Sequence, residues 1–188
     1  ASPVSLSSAL SLWHALVDAA DPSTSGAVHI HILSQLPAMV TSVEQHLANT
    51  DVQVSAGRAT LALLRALPEL QNASTLLAGS AQHVLELLRA MLTSLTDQPR
   101  VSGLDATFED LLVLYLSLLE ELVRACASSD AAEANAPHAD DLCLLCLGAF
   151  GAVMPMLKRD VLTIPSVAEA FAQLVHVLLI MARSALYS

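Results

Sequence analysis

The sequence predicts an all-α chain of antiparallel helix pairs stacked into a superhelix, and three observations point there. Of 188 residues, 37 are Leu and 31 are Ala, while aromatic residues make up only 3%. Leu and Ala are the apolar residues with the best helix propensity. A β fold would want more aromatic and β-branched residues and more turn glycines. The second observation is that apolar residues recur at three- and four-residue spacing between clusters of Pro, Gly, Ser and Asn. The third is the tetrad Leu63-Leu64-Arg65-Ala66, which recurs as Leu87-Leu88-Arg89-Ala90, 24 residues on. That offset is one helix plus a turn, the hairpin spacing of HEAT-like or armadillo-like arrays.

The elements follow from the punctuation. A first helix over about 3–20 starts after Ser2-Pro3, with Leu6, Leu10, Trp13, Leu16 and Val17 on one face. The stretch from Asp21 to Gly26 reads as a turn. A helical segment over 27–49 is broken or kinked by Pro37 and ended by Asn49-Thr50-Asp51. The next covers 52–78, interrupted at Pro68, and Gly79-Ser80 reads as a stop followed by an N-cap. A helix over 81–96 turns Val84, Leu87, Leu88, Met91, Leu92 and Leu95 inward. The strongest helix covers 106–127, with Thr107-Phe108-Glu109-Asp110 as an N-cap and acidic first turn. An acidic, Ala-rich loop over 128–139 precedes a helix over 140–157, which begins with Asp140-Asp141 and ends near Lys158 and Arg159. Thr163-Ile164-Pro165 opens the last helix, 165–188. The whole, 1–188, reads as a single array.

Composition narrows the function classes. Asp and Glu number 18 against 8 Lys and Arg, a formal net charge of −10. Nucleic-acid binding needs a basic footprint, so it is not expected. Anionic membrane surfaces are disfavoured too, and an electrostatically steered partner should be basic. Three cysteines do not make a secreted disulfide framework, which favours a reduced compartment. The chain opens with Ala and without a basic leader segment, so no secretory signal is expected, and both ends read as those of a piece of something longer. The longest uncharged run, Leu142 to Leu157, has 16 residues and contains Gly148, Gly151 and Pro155. A spanning helix needs about 20. Membrane insertion is not expected, and these apolar runs read as buried helices.

Motifs that carry chemistry are thin. Cys143 and Cys146 have the C-x-x-C spacing of redox and zinc sites, yet no second pair or matching His pair completes a site. Core packing of small hydrophobic thiols is the favoured reading, with redox and metal roles behind it. His29 and His31, two apart on a helix, diverge and make a poor metal pair. Glu120-Glu121 and Asp140-Asp141 are adjacent, so their carboxylates point apart and read as solvated faces or caps rather than an acid–base pair. Gly148 and Gly151 have the spacing of a tight helix–helix approach. No phosphate-binding loop, nucleophile elbow or dinucleotide fingerprint is present. No catalytic, cofactor-binding or metal residue is assigned, no cofactor is expected, and partner-binding residues stay unassigned.

A resemblance takes the reading further. The segment Asp140 to Met181 contains Met154-Pro155-Met156-Leu157, then Asp160-Val161-Leu162, then Ile164-Pro165 and a long apolar helix. This order resembles the exportins, nuclear export receptors of the karyopherin-β (importin-β) superfamily, nearest to the exportin-4 branch. The upstream helix, from Phe108-Glu109-Asp110-Leu111-Leu112 to Glu121-Leu122-Val123, is similar to the one that precedes it there. The likeness covers about 107–188 and extends more weakly back to about residue 52. Ile164 stands where the family usually has an aromatic residue, and Phe171 stands alone where it has a pair. The resemblance implies a run of C-terminal HEAT repeats and no enzymatic activity of its own. It also implies binding of protein cargo with Ran in its GTP form, contacts with phenylalanine–glycine nucleoporins, and shuttling between nucleus and cytoplasm. The readings behind it are another HEAT or armadillo scaffold, and a helical bundle that holds an apolar ligand.

Overall fold

A computed structural model describes residues 2–20, 22–46, 48–70, 73–97, 106–128 and 139–187, with side chains described for all of these except 22–25, 74, 127–128, 139–143 and 181–187. Among them every regular element is helical, as the composition predicts. The acidic segment expected as a loop over 128–139 falls almost wholly outside the described residues.

Local chemistry sets most helix starts. Helix α1 (Pro3–Ala19) begins where Ser2 accepts a hydrogen bond from the Ser5 amide at 3.3 Å, with Pro3 in the first turn, where a missing N–H costs nothing. Of its expected apolar face, Leu10 and Val17 are buried and Leu6 and Trp13 partly so, while Leu16 points outward. Helix α2 (Pro22–Ser34) begins inside the stretch read as a turn; Pro22 sits at the first position rather than in a loop. Pro37 breaks the next segment as expected, at Gln35, and α3 (Leu36–Glu44) follows. That helix stops short of the predicted boundary. Asn49 does not end it but caps α4 (Thr50–Ala66), accepting from the Val52 amide at 3.1 Å.

Three further boundaries are corrected. Helix α5 (Ala73–Asp97) runs unbroken through Gly79-Ser80. The Ser80 hydroxyl donates to the Leu76 carbonyl at 2.7 Å within the helix instead of capping a new one. The stripe Leu77, Ala81, Val84, Leu88, Met91 and Leu95 is buried and continuous, and its packing outweighs the roughly 1 kcal/mol cost of a mid-helix glycine. Helix α6 (Ala106–Ser128) starts before Thr107, which therefore lies inside it, with Glu109 in the first turn. Helix α7 (Ala139–Val153) gives way to a 3₁₀ turn, Met154–Met156, at Pro155, so Lys158 and Arg159 lie beyond its last turn rather than in it. A second 3₁₀ turn, Val161–Thr163, leads through extended Ile164 into α8 (Pro165–Tyr187).

Packing divides the helices into two sets. Helices α1, α4, α6 and α8 lie against one another in that order. On their other side α3 packs on α5, and α5 on α7. Helix α6 touches α4, α5, α7 and α8. Side-chain pairs give the directions. Arg58 meets Asp110 at 3.8 Å and Arg65 meets Glu121 at 3.2 Å, so α4 and α6 run parallel. Ser7 bonds Ser55 at 3.0 Å near the starts of α1 and α4, while Val17 clusters with Ala62 and Leu63 near their ends. The first turns of α6 and α8 are joined by Ser166 donating to Glu109. Gln53, early in α4, donates to Ser94, late in α5, so this consecutive pair is antiparallel.

The parallel contact between α4 and α6 is close. A Cβ on Gly57 would sit 2.5 Å from Leu114 Cδ2 and 3.0 Å from its Cγ, whereas a Cβ on Gly79 would meet nothing within 4 Å. Gly57→Ala should therefore destabilise the fold by roughly 1–3 kcal/mol through overpacking. Gly79→Ala should stabilise it by about 0.5–1 kcal/mol, because it removes backbone freedom from an exposed helix site. Urea unfolding of the two variants checks both signs.

Candidate partner-binding faces

Burial decides which residues are left to meet a partner. The large apolar side chains exposed among the described residues are Val4, Leu12 and Leu16 on α1, Val28 and Ile30 on α2, Leu144, Leu145 and Leu147 on α7, Met154 just after it, and Leu179 and Ile180 on α8. Helices α3 to α6 contribute none. The apolar run from Leu142 to Leu157 is thus not the uniformly buried helix the sequence suggests. Leu144 is 66% exposed, while Cys146 on the opposite side is 1% exposed. Periodicity could not reveal this, because a helix that is apolar all round carries no mark of the side that lacks a neighbour. Phe150 of α7 and Phe171 of α8 stack with centroids 6.3 Å apart and planes at 11°, which ties the two exposed helices together. No helix among the described residues is long and apolar enough to cross a membrane.

The candidate chemical residues are placed as follows. Cys146 is buried, and the Cys143 side chain lies outside the described residues, as do those of Asp140 and Asp141. Cys126 of α6 is half-buried, and interaction with the Cys146 thiol, then burial, pushes its own thiol above the ordinary cysteine range. Beside them the Tyr115 hydroxyl donates to the Ala149 carbonyl at 2.9 Å, and burial pushes its phenol well above the ordinary range. His29 is fully buried and His31 exposed, the divergence expected of the pair. Among the described residues no group of three or more metal-ligating side chains converges. Gly148 and Gly151 face open space, so they mark no close approach, and Gly57 is the glycine that does.

Glu120 and Glu121 correct the sequence reading most sharply. They do not both lie on a solvated face. The Glu120 side chain is only 6% exposed, and both carboxylates bind the Arg124 guanidinium, Glu121 at 3.4 Å. Glu121 also takes Arg65 from α4. With Arg58 and Asp110 this forms a charged ridge along the seam of α4 and α6. The ridge is self-neutralising, so it ties two helices together rather than offering a field to a ligand.

Against known proteins, the chain matches no protein family, no curated protein and no solved structure.

The ridge makes a measurable prediction. Arg124→Met takes away the cation that Glu120 binds and leaves that carboxylate buried, so it should cost roughly 1–3 kcal/mol. Replacing Glu120 by Gln in the same chain should restore much of the loss. A double-mutant cycle from urea melts reads the difference; equal losses in the single and double variants would refute the pairing.

Proposed function

We propose that the chain is a segment of HEAT-type scaffold from a nuclear export receptor, acting by binding proteins and not by catalysis. The observation that carries the scaffold reading is the packing order. Neighbouring parallel helices α1, α4, α6 and α8 back onto α3, α5 and α7, and α4 runs antiparallel to the α5 that follows it. Repeat arrays are built from such neighbour-to-neighbour contacts. A bundle closed around an apolar ligand would bring its first and last helices together, yet among the described residues α1 and α8 share no substantial interface. Confinement of exposed apolar side chains to α1, α2, α7 and α8 supports the same reading, since the outer helices of a stack present faces suited to further protein surface.

The export-receptor reading rests on the resemblance over about 107–188. On it, the parent receptor binds cargo together with Ran in its GTP form, touches phenylalanine–glycine nucleoporins during passage, and shuttles between nucleus and cytoplasm. The net charge of −10 suits basic partner surfaces.

Two experiments separate the layers of this proposal. Native-state hydrogen exchange on the whole chain should give protection that falls from α4–α6 toward α1 and α8, because outer units of an array open at lower free energy. Equal protection lost in one step would overturn the array. Full-length receptor should be retained on immobilised Ran loaded with a non-hydrolysable GTP analogue and released when Ran carries GDP. Retention independent of nucleotide, or none, would remove the export assignment and leave the scaffold standing.

A further inference from the structure

We propose that the outward face of α7 is a two-fold dimer contact, on which the α7 of a second copy of this chain packs antiparallel. Leu144, Leu147, Gly148 and Gly151 fall within an arc of roughly 100° at 3.6 residues per turn. All four are exposed, as are Leu145 and Ala152 on one flank and Met154 just past the helix end. The opposite side is taken, since Cys146 and Val153 are buried. No described helix comes over the two glycines; a Cβ on either would meet nothing within 4 Å. A contiguous apolar strip left open in this way marks a protein-contact surface.

Charge decides what covers it. From Leu142 to Leu157 the chain carries no Asp, Glu, Lys or Arg. The first turn of α7 carries Asp140 and Asp141, and Lys158 and Arg159 stand exposed just beyond the 3₁₀ turn that follows the helix. The strip is therefore apolar in the middle, acidic at one end and basic at the other. The glycine pair and the two charged pairs share one centre, between Ala149 and Phe150. Turned end for end about that centre, the strip is its own complement. Gly148 then faces the partner's Gly151, Leu145 the partner's Met154 and Leu147 the partner's Ala152. The two acids of each copy come to the two bases of the other. Such self-complementarity is what a two-fold contact requires. The glycines let the helix axes approach to the short end of the range of about 8–10 Å for packed helices. Elsewhere on the surface the net charge of −10 repels a second copy. A basic partner drawn by that field finds acids at only one end of this strip, and bases at the other.

Sedimentation of the whole 188-residue chain should show dimers, of twice the 19.7 kDa monomer mass, at roughly 10–100 μM. Gly148→Leu meets no atom inside the chain, so it should leave the circular dichroism spectrum unchanged while weakening dimerisation by roughly tenfold or more. Lys158→Glu with Arg159→Glu should weaken it too. Adding Asp140→Lys with Asp141→Lys to the same chain should restore it, because the swapped strip is again self-complementary. In a mixture of isotopically heavy and light chains, a zero-length carbodiimide should join Lys158 of one copy to Asp140 or Asp141 of the other. A chain monomeric throughout that range, a dimer that Gly148→Leu leaves intact, charge reversals that fail to rescue, or links that place α1 or α8 in the contact would each overturn the pairing.

Discussion

Helix α6 buries more than half of its circumference, and the rest of the structure is arranged to answer that. Phe108, Leu111, Leu112, Leu114, Tyr115, Leu116, Leu118, Leu119, Leu122, Val123 and Ala125 are all buried. At 100° per residue they spread over an arc of roughly 200° around the axis, so one partner helix cannot cover them. Four helices do: α4 and α8 beside it, α5 and α7 behind. On the α4 side the approach is so close that Gly57 has no room for a methyl group. Three acids on α6 meet a cation, Asp110 that of Arg58, Glu121 that of Arg65 and Glu120 that of Arg124 on its own helix, while Glu109 accepts from the Ser166 hydroxyl of α8.

What could be read in the sequence was what is decided locally. Ser2-Pro3 and Pro165 open helices because a cap and a first-turn proline act within one turn, and Pro37 breaks one for the same reason. Errors arose where local chemistry was overruled or is ambiguous. Gly79-Ser80 has the composition of a helix end, but its neighbours on the buried stripe need the helix to continue. Asn49 is as good a cap for a helix that follows as a stop for one that precedes, and only the backbone decides between them. The exposure of Leu144 and the burial of Glu120 depend on which helix lies alongside, which no window of sequence contains.

The charge balance gains a spatial meaning from the ridge. Arg58, Arg65 and Arg124 are three of the chain's 8 strong bases, and all three are engaged by carboxylates along the α4–α6 seam. Cations tied up in this way are poorly placed to steer an acidic ligand. Acids elsewhere, such as Asp18, Glu44, Asp51 and Glu169, are exposed. The long-range field is therefore acidic while the seam is neutral, a division that separates the work of holding helices together from that of attracting a basic partner.

The interfaces between parallel helices also differ in kind. Helices α1 and α4 meet through small hydroxyls, Ser7 and Ser11 against Ser55, and through Val17 against Ala62 and Leu63. Helices α4 and α6 are locked by shape at Gly57–Leu114 and by the charged ridge. Helices α6 and α8 are joined by a single first-turn contact between Glu109 and Ser166, together with apolar packing. The lock by shape and charge is thus concentrated at the α4–α6 pair. Behind the α6–α8 seam lies α7, stacked on α8 through Phe150 and Phe171 and held to α6 by the Tyr115–Ala149 hydrogen bond. The exposed leucines of α7 therefore sit on a helix anchored on two sides, to α6 and to α8.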